Sequence, residues 1–198
     1  MPLDSTELQF LEISKRVIAI SVQAANAYAA EQAKLEPERI LSPQRLTSAA
    51  GTLASLADID QLAALTAAHK QLCEQIITAS SAEYASVINT LPAAERQART
   101  TEHADRLTWL LHSQSAFYAA REQWLDAARN ICALMQSCRD TAVFSDTVQF
   151  ANDDEYDRFE AEMARIEAAH QEEVRIMNDK AGRMQAAMAG LGLLRQGN

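Results

Sequence analysis

Four prolines, at positions 2, 37, 43 and 92, are all that the 198-residue chain contains, and between them lie stretches long enough for very long helices. Proline fixes φ, lacks an N–H and disfavours helical geometry in the residue before it, so it marks where helices stop and start. Glycine is almost as scarce, at five residues, and aromatics are only 6% of a chain that is 48% hydrophobic. That balance favours helix, since strands would want more β-branched and aromatic residues.

The punctuation predicts four long helices. Asp4-Ser5-Thr6-Glu7 has a capping residue with a glutamate three positions on, and the first helix runs from there to about Glu36, where Pro37 ends it. Ser42-Pro43 repeats the start signal for a second helix reaching about Asn89. Gly51 and the Asp58-Ile59-Asp60 step leave two versions of it open, one continuous and one broken into a short and a long piece. After Thr90-Leu91-Pro92 a third helix extends to about Ser137 without internal proline or glycine.

Residues 140–152 differ, with Val143, Phe144, Val148 and Phe150 among Thr, Ser and Asp, and are expected to form an apolar-anchored loop rather than a sheet. A fourth helix opens on Asn152 or Asp153, its first turns rich in acids that complement the helix dipole, and runs to about Ala189 before a flexible tail over 190–198. These acids lack the spacing of a calcium loop. The expected architecture is all-α: a single helical domain over 1–198, an elongated antiparallel bundle of four long helices with coiled-coil-like packing.

Periodicity assigns faces to the helices. In the third, Leu110, Phe117, Trp124, Ile131 and Cys138 recur every seven residues, as do Leu111, Tyr118, Leu125 and Cys132, opposite Ser115, Glu122, Asp126 and Arg129. In the fourth, Met163, His170, Met177, Met184 and Leu191 form a narrower seam, flanked by Phe159, Ile166, Val174, Ala181 and Met188. The first carries two apolar stripes, one through Phe10, Ile13, Val17, Ile20 and Ala24 and one through Leu8, Leu11, Ile18, Val22 and Ala25, and is expected to be covered on two sides.

The formal charge of −9 and a pI near 4.9 repel phosphate, and no run of four or more basic residues offsets this, so nucleic acid is not an expected partner. Three cysteines, Cys73, Cys132 and Cys138, are an odd number in helical contexts and suit a reducing compartment. With neither a readable signal peptide nor an apolar run of membrane-spanning length, the expected location is cytoplasmic.

Chemistry is thin. Histidines interrupt the apolar stripes at His69, His103 and His170, whereas His112 lies toward the polar side of the third helix. Glu167 and His170 form one Glu-x-x-His motif, of which a di-metal bundle needs two, and His69 with Cys73 would be half of a zinc site completed by His170 or Cys132. No phosphate loop, nucleophile elbow or His-Glu-x-x-His motif occurs, and Cys132 and Cys138 fall on an apolar face, so the sequence supports no enzyme and no cofactor.

What remains is a non-enzymatic interaction protein, a scaffold, adaptor or accessory component, that packs another protein or a second copy, as in a dimer. The expected interaction face is Phe10, Ile13, Val17 and Ile20 of the first helix with the adaptable Met177 and Met184 of the fourth. Two alternatives stand beside it: a metal-binding bundle using Glu167 and His170, and a granule coat. The stretch 53–68, with Leu62-Ala63-Ala64-Leu65, and the later 79–87 segment resemble the Ala-rich helical core of phasins, a likeness over a small part of the chain that would imply adsorption on an apolar granule surface.

Overall fold

The computed structural model describes residues 4–144 and 148–190, of which 88% are helical, in helices that pack against one another. The chain is an all-α bundle. Helix α1 spans Ser5–Lys34, α2 Pro43–Leu46, α3 Ala49–Asn89, α4 Ala93–Ser137 and α5 Asp153–Gly190. Among the described residues no helix is long and apolar enough to cross a membrane.

The start of α1 is the capping box read from the sequence. The Thr6 and Glu7 amides donate to Asp4 Oδ1 at 2.9 and 2.8 Å, and the Asp4 amide donates back to Glu7 Oε2 at 3.2 Å. The helix stops at Lys34, earlier than Glu36, because the Leu35 and Glu36 amides turn to the i−3 carbonyls of Gln32 and Ala33. Glu36 then takes a left-handed φ of 43° that leads into a 3-10 turn over Pro37–Arg39.

The interruption in the second segment lies before Gly51 instead of at the aspartates. Helix α2 is a single turn, and α3 begins afresh where Ser48 Oγ accepts the Gly51 amide at 2.9 Å, then continues unbroken through Asp58 and Asp60. Asp58 caps nothing there, and its carboxylate pairs with Arg45. The region 140–152 is also corrected: Val143–Phe144 (β1) and Val148–Gln149 (β2) pair as a two-residue antiparallel hairpin, Val143 opposite Gln149 and Phe144 opposite Val148. The strand-like residues do make strands, and Val148 and Phe150 pack against the core as anchors. Positions 145–147, the tail after Gly190 and the seam residue Leu191 lie outside the described residues.

Contacts cluster into two compact units: unit 1 combines Met1–Ala27, His69–Ala116 and Ile176–Asn198, and unit 2 combines Tyr28–Ala68 and Phe117–Arg175. Within unit 2, Arg129 of α4 and Arg139, two residues past its end, meet Asp60 and Thr52 of α3, while Arg121 and Asn130 of α4 meet Glu173 and Glu162 of α5. Rising numbers on one helix meet falling numbers on the next, so both pairs are antiparallel. The core of this unit is Ile40, Ile59, Ile131, Cys132 and Met135, each fully buried, where an aliphatic side chain contributes about 1.5–3 kcal/mol. Ser55 is buried beside them and satisfied, donating to the Ile40 carbonyl at 2.6 Å. Unit 1 buries Ile13, Ala24, Ile77, Ile88, Leu91 and Ile176.

The predicted wall of the third long helix matches α4 in Tyr118, Leu125, Ile131, Cys132 and Cys138, all buried, while Leu111 is exposed. On α5 the predicted seam is displaced. Met163, His170, Met177 and Met184 are exposed, and the buried line passes through Ala169 and Ile176 with Phe159, Ile166 and Glu173 half-buried beside it. Two heptad registers compete on this helix. Packing selects the one in which small Ala169 permits close approach and Glu173 finds Arg121, instead of the one richest in methionine.

Candidate functional site

Unit 1 contains a cavity of about 310 Å³. Helix α1 lines it with Phe10, Leu11 and Ser14, one turn apart on a single face, and α3 with Tyr84 and Ile88. From α4 come Arg99, His103 and Arg106, whose i, i+4, i+7 spacing also puts them on one face.

At its centre is a ladder of rings. Phe10 stacks on Tyr84 with centroids 5.8 Å apart and planes 16° from parallel, and Tyr84 stacks on His103 at 5.3 Å and 27°. Hydrogen bonds hold the ladder in place. The Ser14 hydroxyl donates to the Phe10 carbonyl at 2.8 Å, which leaves its oxygen to accept from the Tyr84 phenol, and Ser81 Oγ bonds His103 Nε2 at 3.1 Å. Arg99 lies over the Phe10 ring and Arg106 over the Tyr84 ring, each 5.8 Å from the centroid. Burial, aided by the Arg106 charge, holds the His103 imidazole below its ordinary pKa, so it is neutral near pH 7.

Two carboxylates, Glu7 and Glu102, and two guanidiniums, Arg99 and Arg106, line this cavity, but they do not all pair with one another. Arg99 pairs with Glu102 at 3.1 Å, and Glu7 is engaged in the α1 cap, but Arg106 forms no ion pair among the described residues. A cation over stacked rings beside a neutral imidazole can hold an anion or a flat π-system.

The metal candidates do not converge. His69 Nε2 and Cys73 Sγ lie 3.6 Å apart, but the charge facing them is Lys180, which together with burial keeps the His69 pKa low. Cys132 is fully buried in unit 2, His170 is exposed, and Glu167 accepts a hydrogen bond from Gln171 at 2.7 Å. Among the described residues no three His, Cys, Asp or Glu side chains gather closely enough to hold an ion. Of the expected interaction face, Ile13 is buried in unit 1, Phe10 belongs to the ring ladder and Val17 is half-buried. Ile20, Met177 and Met184 are exposed, Met177 to 57%.

Sequence reading pointed to His103 but not to its partners. Ser14 and Tyr84 are isolated polar positions in apolar-periodic stretches, and Arg99 and Arg106 look like solvated charges until the heptad that links them is read together with His103. No protein-family model, curated protein or solved structure matches the chain.

The thiols differ sharply in environment, and alkylation should report it. Burial pushes the Cys132 thiol up to about 11 and raises Cys138, whereas half-buried Cys73 borders His69. Iodoacetamide at pH 8 should therefore modify Cys73 at least about ten times faster than either of the others in the folded protein, because only thiolate reacts. Peptide mapping checks this, and equal rates for all three would show that the core opens.

Proposed function

We propose that the chain is a non-enzymatic helical interaction protein that docks a partner helix, from another protein or from a second copy, along the exposed side of α5. The observation that carries this reading is the row the packing leaves uncovered. In unit 2 it includes Tyr156 and Met163, seven residues apart, with Val174, and in unit 1 Met177 and Met184, again seven apart, all exposed. Methionine adapts to varied surfaces, and a heptad row offers a facing helix its knobs and holes.

The fully buried core of unit 2 supports this over adsorption on a granule, since it gives the chain a packed interior of its own. The exposed row is also where Met177 and Met184 of the expected face lie, so the docking surface is drawn on α5 alone and not on α1 and α5 together. The location expected for it is the cytoplasm.

The test is a Met177→Glu, Met184→Glu double variant, compared with the parent by light scattering and by capture from native extract. The expected result is unchanged helicity with loss of the dimer or of the captured protein. If parent and variant have the same mass and retain the same proteins, the α5 row is not the docking surface.

A further inference from the structure

We propose that the cavity of unit 1 binds a small monoanion built on a planar ring, an aromatic carboxylate, with its ring against the Phe10–Tyr84–His103 ladder and its carboxylate on Arg106. This goes beyond helix docking and rests on different residues.

Shape comes first. A volume of about 310 Å³ is at the small end for ligand sites, enough for one or two fused rings with a single substituent. The Phe10, Tyr84 and His103 rings lie within 27° of parallel from one neighbour to the next in a stack that lines the cavity, and Leu11 and buried Ile88 add an apolar wall. A stack of rings favours a planar guest, because an aromatic ring gains stacking geometry that a puckered ring of similar size does not.

Charge then selects among planar guests. In a chain of net charge −9, the cavity holds an arginine with no carboxylate partner among the described residues, and a guanidinium fork matches a carboxylate in two parallel hydrogen bonds. Arg106 already lies over Tyr84, so a carboxylate that reaches it keeps the attached ring beside the ladder. Glu7 and Glu102 also border the cavity and oppose a second negative charge, which disfavours phosphate esters and free phosphate. Glu102 is held by Arg99 and so does not compete for Arg106. The ring ladder is braced through Ser14 and Ser81 without a ligand, so little ordering is needed on binding.

The test uses the whole chain with three probes, 2-naphthoate, its uncharged amide 2-naphthamide, and cyclohexanecarboxylate, followed by calorimetry and by the imidazole proton resonances of His103. The expected result is saturable binding of 2-naphthoate at about millimolar Kd or tighter, with the His103 resonances shifted by the ring. The amide and the cyclohexane acid should each bind about tenfold more weakly, as should 2-naphthoate to Arg106→Gln, an exposed substitution that should leave the circular dichroism unchanged. Binding of the amide as tight as that of the acid, an undiminished affinity in Arg106→Gln, or equal affinity for cyclohexanecarboxylate would each overturn the proposal. So would the absence of any saturable signal from the parent protein.

Discussion

Replacing Arg121 by alanine should lower the unfolding free energy by about 3–5 kcal/mol at pH 7, a large part of the 5–15 kcal/mol typical of a folded domain. Arg121 and Glu173 form an ion pair at 3.1 Å in unit 2, with their side chains only 16% and 13% exposed. The guanidinium also donates from Nε to the Tyr28 hydroxyl at 3.2 Å, and that hydroxyl bonds Thr66 Oγ1 at 3.2 Å. Truncating the arginine removes the cation while the carboxylate stays largely shielded from water.

Opposed effects act on Glu173. Burial raises its pKa, Arg121 and, to a lesser extent, His170 lower it, and burial wins, so the folded value lies above the ordinary 4.5. A carboxyl whose folded pKa is raised holds its proton more tightly in the native state. Its contribution to stability is fully present below the unfolded pKa and is lost as pH rises through the folded one. Acidification should therefore favour the fold at this site, and the penalty in Arg121→Ala should shrink as the pH falls and Glu173 takes up a proton. The double variant Arg121→Met, Glu173→Leu should recover most of the loss, because exchanging a buried pair for apolar side chains is often neutral or better. Urea melts of the three proteins at pH 7 and pH 5 decide it; a double variant as weak as the single would mean that packing around Arg121, not charge, is what is lost.

The second large effect is expected at Gly51. A Cβ there would come within 2.3 Å of the Arg45 carbonyl oxygen and 2.5 Å of Arg45 Cα, backbone atoms that cannot rotate aside. Alanine must therefore push α2 away from the start of α3. That movement strains the Arg45–Asp58 pair, the Ser48 cap and the Ser55 bond to the Ile40 carbonyl. The expected cost is about 3 kcal/mol, well above the roughly 1 kcal/mol that alanine gains over glycine in a helix. Gly182 is the control: nothing lies within 4 Å of its added Cβ, so Gly182→Ala should stabilise by up to about 1 kcal/mol. Thermal melts that move both variants in the same direction would contradict the clash.

The residues that define helix ends by covalent restriction or by a local cap were readable in advance. Pro37, Pro43 and Pro92 and the Asp4–Glu7 box sit where helices begin or stop. Features decided by competition between distant parts of the chain were not. The start of α3 at Ser48 has no proline to announce it, and Asp58, which looks like a cap, is occupied by Arg45. On α5, apolarity favoured the methionine register, yet the buried register wins through Ala169 and an ion pair to another helix. The candidate site shows the same division. His103 stands out locally as a polar residue in an apolar series, whereas Tyr84 and Arg106 acquire meaning only when α3 and α4 are side by side.

The hairpin between α4 and α5 has a kinetic consequence. From it outward in unit 2, successive cross-helix bonds join residues 32 apart, Asn130 to Glu162, and then 52 apart, Arg121 to Glu173. Loop-closure entropy grows only logarithmically, so advancing from the first bond to the second adds roughly 0.4 kcal/mol if the chain starts open, and far less once the inner bond has formed. The two helices can therefore close like a zipper from β1 and β2, each turn brought within reach by the one before, and the buried arginine is the last of these bonds to be secured.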